Sequence, residues 1–147
     1  MLHRRGLLDT SAVVMLPLLD SMTDLPEEPV ISAITLAELS VGPLVAASES
    51  ERAARQAHLQ QAEADFDPLP FDADAARAFG RVAASLRRSG RKTAARSYDA
   101  MIAAIALVHG LPVYTANPDD FAHIEGLAVV GVPVAADASN EAERNGT

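Results

Sequence analysis

The residues of this chain best suited to chemistry are carboxylates: Asp9, Glu38, Asp99 and the adjacent Asp119 and Asp120. Each also has an ordinary local role. Asp9 follows Leu7-Leu8 and precedes Thr10-Ser11, where a lone Asp serves as the cap of the next helix. Thr35 and Glu38 have the spacing of a capping box at a helix start. Asp99 comes two residues after Ser97, in a first turn where the helix dipole rewards an acid by a few tenths to about 1 kcal/mol. Asn117-Pro118-Asp119-Asp120 is built as any helix start prefers, with Asn at the cap, Pro next and acids following. Glu38 fits its local role least well. It is the only charge between Glu28 and Glu49, and an isolated acid in an apolar stretch is costly unless paired or bound to metal.

The elements around these acids give them a common address. Short apolar runs at Gly6-Leu7-Leu8, Pro29-Val30-Ile31, Pro112-Val113-Tyr114-Thr115 and Ala128-Val129-Val130 predict strands, and Asp67-Pro68-Leu69 is a weaker candidate. Between them, Ser48-Glu49-Ser50-Glu51 opens an Ala-rich helix through the 50s and early 60s. Ala75, Phe79, Val82 and Leu86 form one apolar stripe on a helix that begins at Asp72. From Ala100 to Val108 the chain is apolar on every face, and Gly110 and Pro112 end it, which predicts a buried helix starting at Ser97. Alternating strands and helices imply an α/β fold, a three-layer α/β/α sandwich on a short, mainly parallel central sheet. Asp9 and the 117–120 segment then follow strands, while Glu38 and Asp99 lie near helix starts. Right-handed crossovers bring such positions to one edge, beyond the carboxyl ends of the strands. Carboxylates converging there repel one another unless a cation holds them, and all-oxygen ligands select Mg²⁺ or Mn²⁺.

Composition narrows the classes. A chain of 147 residues with 49% apolar residues suits one domain, expected over residues 1–136, with a polar tail at 137–147. There is no cysteine, which excludes disulfides, thiolate metal sites and a thiol nucleophile. The four histidines have no paired spacing, so a His-based zinc site is not expected. Acids outnumber Lys plus Arg by 20 to 12, so global charge does not hold nucleic acid. No apolar run approaches the ~20 residues of a membrane span, and His3-Arg4-Arg5 is not followed by an unbroken apolar stretch, so a cytoplasmic protein without membrane contact is expected. Gly90-Arg91-Lys92-Thr93 lacks the order of a phosphate loop. An aspartyl-phosphate enzyme built on Asp9 is disfavoured by Ser11 and by the single lysine, Lys92.

In order along the chain, Leu7-Leu8-Asp9-Thr10-Ser11, Ser32-Ala33-Ile34-Thr35-Leu36-Ala37-Glu38-Leu39, Asp99-Ala100-Met101-Ile102-Ala103-Ala104 and Thr115-Ala116-Asn117-Pro118-Asp119-Asp120-Phe121 resemble the PIN-domain nucleases. The likeness is closest to the VapC-type toxins of type II toxin–antitoxin pairs and spans residues 7–131. This resemblance implies a Mg²⁺- or Mn²⁺-dependent endoribonuclease, usually homodimeric and inhibited by a cognate antitoxin protein. By position, Asp9, Glu38 and Asp99 fall on the family's three most regular acids. Asp119 is the expected fourth, with Asp120 the alternative. Asn117 is expected to orient a water or an acid, and Thr10 or Ser11 to hydrogen-bond to the site. Asp9 and Asp99 are the expected main metal ligands, with Glu38 and Asp119 completing the shell.

RNA must still approach an acidic chain. Arg87, Arg88, Arg91, Lys92 and Arg96 gather five of the twelve basic residues within ten positions, ending three residues before Asp99. Such a run is either a solvated loop or a rim that meets phosphates. Aromatic residues are only 4% of the chain, so base stacking is expected to contribute little. The rival reading is a catalytically inactive PIN-like module that binds RNA or protein. Retention of all three regular acids counts against it.

Overall fold

A computed structural model describes residues 4–18, 25–92 and 96–133. Strand β1 (Arg5–Leu8) lies at the centre of a four-stranded sheet with β2 (Glu28–Val30), β3 (Val113–Thr115) and β4 (Val129–Gly131). The order is β2-β1-β3-β4 and every pairing is parallel, with Leu7 opposite both Val30 and Val113, and Tyr114 opposite Val130. The four stronger expected strands are present. Around Leu69 there is a single bridge to Ser32 rather than a strand, because Leu69 exchanges backbone hydrogen bonds only with Ile31 and Ala33.

Among the described residues, five α-helices connect and cover the sheet: α1 (Thr10–Met15), α2 (Ala33–Val41), α3 (Glu49–Asp65), α4 (Ala73–Arg88) and α5 (Ser97–His109). The starts of the first four are set by short polar side chains. Asp9, Ser32, Ser48 and Asp72 each accept the backbone N–H three residues on. The expected capping box of Thr35 and Glu38 is replaced by this arrangement. Ser32 caps α2, so Thr35 falls inside the first turn and Glu38 in the second.

Successive strand residues point to opposite faces, and this splits the core in two. Leu7 and Val113 pack with Val82 and Leu86 of α4, Ile102 and Ile105 of α5, and Phe121. Leu8 and Tyr114 pack on the other face with Val13 of α1, Leu39 of α2 and Ala62 of α3. The result is the expected three layers. Helix α5 is covered by the sheet and α4, which is why it is apolar all round: Ala100 and residues 102–106 are fully buried. Gly110 ends it in the left-handed region at φ 64°. The expected tail at 137–147 lies outside the described residues. Among the described residues, no helix is long and apolar enough to cross a membrane.

Candidate active site

The site forms where the carboxyl ends of β1 and β3 meet the second turn of α2 and the first turn of α5. Asp9 leaves the end of β1, and its backbone N–H donates to the Tyr114 carbonyl of β3 at 3.0 Å. Asp9 caps α1, its ordinary local role, and its charge also bears on Glu38 and Asp99. Its Oδ1 accepts the Ala12 N–H at 2.9 Å and the Ser11 hydroxyl at 2.7 Å. Its Oδ2 accepts the Thr115 hydroxyl at 2.6 Å. The two hydroxyls are themselves oriented. Ser11 Oγ accepts the Ala116 N–H and Thr115 Oγ1 the Asn117 N–H, each at 3.0 Å, which turns their protons toward the carboxylate. A carboxylate oxygen takes about two donors, so Oδ1 is filled and Oδ2 has room for one more partner.

Glu38 is held from α1. Thr10 donates to its Oε1 at 2.8 Å, and the fully buried Thr35 hydroxyl lies 3.1 Å from that of Thr10. Asp99, three residues into α5, sits within the electrostatic reach of Asp120, Asp9 and Glu38 together. Burial and then those three charges, against the opposing charge of Arg96, push its pKa up to about 6. Burial also raises Asp9, against its three hydrogen bonds and with a further push from Asp120. Glu38 is raised by burial, against the Thr10 bond and with a push from Asp9.

Asp119, expected as the fourth acid, is exposed, and Arg91 takes its backbone carbonyl at 2.7 Å. It is Asp120 whose charge acts on Asp9 and Asp99. The one-residue difference follows from the backbone. Residues Pro118–Phe121 form a 3-10 turn, and with about 120° between successive residues only one of the two acids faces inward. Asn117 precedes that turn without a side-chain cap bond and is exposed.

The basic run divides. Arg88 donates to Ser85 and pairs with Glu125 at 3.4 Å, on the flank of α4. Arg91 and Arg96 instead reach the 118–121 turn, Arg96 donating to Asp120 Oδ1 at 2.7 Å. Arg87 and Lys92 are exposed. Tyr98, beside Asp99, is the one exposed aromatic ring among the described residues.

Thr115 and Thr35 were not singled out as site residues by their sequence setting. Thr115 reads as one more β-branched strand residue and Thr35 as a cap. Their signal is a hydroxyl at an inward-facing position of a buried element, and that is visible only once the pleat and cap are known.

The donor set suits a hard divalent cation, since it is all oxygen and carries more negative charge than its surroundings neutralise. Among the described residues, no three acidic or histidine side chains already close into a metal cage. Mg²⁺ accepts such a site, because it binds through one or two carboxylates and keeps several waters.

A PIN-domain family model matches residues 7–127. The chain is 40% identical over 129 residues to "Ribonuclease VapC5" of Mycobacterium tuberculosis, covering 86% of this chain and 93% of that protein. Among solved structures it resembles the crystal structure of VapBC-5, from the VapBC toxin–antitoxin family of M. tuberculosis, with a TM-score of 0.75 and 41% identity over 88% of this chain and 99% of that one. FitAcB of Neisseria gonorrhoeae matches with a TM-score of 0.69 and 28% identity, over 85% of this chain and 96% of that one.

Proposed function

The chain belongs to the PIN-domain family, in its VapC branch, and from that premise we propose that it is a Mg²⁺- or Mn²⁺-dependent endoribonuclease, the toxin of a toxin–antitoxin pair. One observation carries the reading. The charges of Asp120, Asp9 and Glu38, from three other segments, bear together on the half-buried Asp99, opposed there by Arg96. That arrangement is costly without a cation and useful with one.

Asp9, Asp99, Glu38 and Asp120 would hold the metal, Asp9 through its Oδ2. Asp120 takes the fourth role in preference to Asp119. When bound, the divalent ion supplies an activated water and neutralises the leaving oxygen of the phosphodiester. The chain's own part is orientation. Ser11, Ala12 and Thr115 lock the Asp9 carboxylate, and Thr10 locks Glu38, so neither loses side-chain freedom when substrate arrives. Arg91, Lys92 and Arg87 supply positive charge for RNA phosphates, and the Tyr98 ring offers a face for a base.

The test is cleavage of total RNA by the wild-type protein and by Asp99→Asn, each with Mg²⁺, Mn²⁺ or EDTA. Discrete fragments that need metal and fall at least ~10²-fold in Asp99→Asn support the reading. Cleavage that survives both EDTA and the substitution sinks it.

A cognate antitoxin is the expected inhibitor, covering the groove beside Glu38 and bringing a cation to the acids. Two apolar features of the surface offer contact area to a protein partner. Val41 at the end of α2 and Leu44 and Val45 in the 3-10 turn after it are more than half exposed, and an apolar groove of about 340 Å³ runs between α1 and α3, lined by Val13, Leu16, Ala57 and Phe66 among others. Mixing with the small neighbouring gene product should abolish cleavage. Undiminished cleavage in a large molar excess of that product would refute the pairing. A homodimer is expected from the family, and sedimentation of the isolated protein tests it.

A further inference from the structure

Arg96 breaks two local rules at once. It occupies the N-cap of α5, where Ser, Thr, Asp and Asn are preferred, and it makes no side-chain capping bond there. Its positive charge also sits at the positive end of the helix dipole, where a cation is disfavoured. Departures of this kind are expected where function requires them. What compensates is across the site: Arg96 Nη1 donates to Asp120 Oδ1 at 2.7 Å, opposite the acid that presses hardest on Asp99 after burial.

This bridge differs from the other basic contacts of the run. Arg91 binds a backbone carbonyl and Arg88 an exposed acid on the flank of α4, so neither neutralises the acid cluster. Arg96 does. Yet both partners of the bridge are about one-third exposed, 32% and 39%, and an ion pair so open to water holds together only weakly. It is also unsuited to persist beside a divalent cation, since a guanidinium and a metal ion on one carboxylate repel each other.

We propose that Arg96 is a displaceable internal counter-cation: it occupies Asp120 while the acid cluster lacks metal and is expelled from that carboxylate when the metal binds. The inference rests on the metal-dependent reading above and adds a regulatory device to it. The chain carries its own weak competitor for the metal, so the cluster folds without metal and loads only at a correspondingly higher metal concentration.

The experiment is a Mn²⁺ titration of the intact protein, followed by electron paramagnetic resonance of the free ion, for wild type, Arg96→Gln and Arg96→Lys. Removing one positive charge beside a divalent site should tighten Mn²⁺ binding roughly tenfold in Arg96→Gln. Arg96→Lys, which keeps the charge, should stay within about threefold of wild type. A bridge that only supports Asp120 predicts the opposite, because its loss would weaken binding. Unchanged or weaker binding by Arg96→Gln therefore overturns the proposal. A second reading uses the wild type alone and does not depend on a variant folding. The Arg96 Nε–H resonance should move and exchange faster with water as Mg²⁺ is added, and a resonance unmoved at saturation overturns the proposal equally. If wild type and Arg96→Gln both fail to bind Mn²⁺, the metal-site reading falls and takes this inference with it. Binding by wild type without tightening in the variant sinks the inference alone.

Discussion

At the scale of single residues, the site is held by hydroxyls whose protons have been given a direction. Thr115 is the clearest case, fully buried, donating to Asp9 Oδ2 and accepting from the Asn117 N–H. Thr115→Val keeps the shape and removes the donor. It leaves a buried carboxylate oxygen short of a partner, at a cost of about 1–3 kcal/mol. The expected outcome in urea unfolding is a loss of that size, with RNA cleavage reduced at least ~10-fold and both largely restored by Thr115→Ser. A Val variant as stable and as active as wild type would show that the hydroxyl is dispensable.

Asp99 makes a second prediction at this scale. Its pKa in the fold, about 6, lies above its ordinary value of 3.8, so between those pH values the folded state binds more protons than the unfolded one. The contribution of Asp99 to stability then falls as pH rises through this window, by no more than about 3 kcal/mol and by less where solvent screens the charges. Urea unfolding in EDTA from pH 4 to 7 should show wild type losing ground relative to Asp99→Asn, which has no proton to lose. Added Mg²⁺ should remove the difference in slope. Parallel wild-type and variant profiles in EDTA would mean that neither burial nor the other acids raise Asp99 in the fold.

At the scale of elements, each acid depends on where a helix begins or ends. Ser32 sets the start of α2 and so puts Glu38 in its second turn, where Thr10 can reach it. Helix α5 carries Asp99 in its first turn, and its other end is fixed by Gly110 at φ 64°. A Cβ on Gly110 meets nothing within 4 Å, so Gly110→Ala isolates the conformational cost of the left-handed residue. Thermal or urea unfolding should register a loss of about 1 kcal/mol, with metal affinity unchanged because the acids lie at the opposite end of the helix. A shift in Mn²⁺ affinity would instead mean that the helix end controls the register of Asp99.

At the scale of the whole molecule, the sheet is the jig. Leu7 and Leu8, adjacent in β1, serve the two separate cores, and the chain then delivers Asp9 directly to the sheet edge. Gly6 permits this strand to lie close under Tyr114: a Cβ there would stand 2.6 Å from Tyr114 Cδ2, inside the buried ring. Gly6→Ala should destabilise by about 1–3 kcal/mol through overpacking, measurable by urea unfolding. Because β1 and β3 are displaced together, it should also weaken Mn²⁺ binding. A neutral substitution would mean that the Tyr114 ring can swing aside.

Much of this was legible in the residues themselves. Periodicity identified the strands and the buried α5, because burial on all faces leaves no polar stripe. The four acidic segments and their convergence followed from parallel-sheet handedness, which is a property of L-amino acids rather than of this chain. The family resemblance rested on the same residues, and the family-model match over 7–127 agrees with it. What the tertiary structure alone decided were matters of direction. The 3-10 turn set Asp120 toward Arg96 and Asp99 and left Asp119 more exposed, although the two are adjacent and chemically identical. Ser32 took the cap that Thr35 and Glu38 had the spacing to form, since their relation depends on where α2 begins. Arg91 and Arg96 separated from Arg88, although all three belong to one basic run. Residue types and spacing determine which groups can reach a common edge; a side chain's direction depends on rotations of tens of degrees, set by packing against residues far away in sequence.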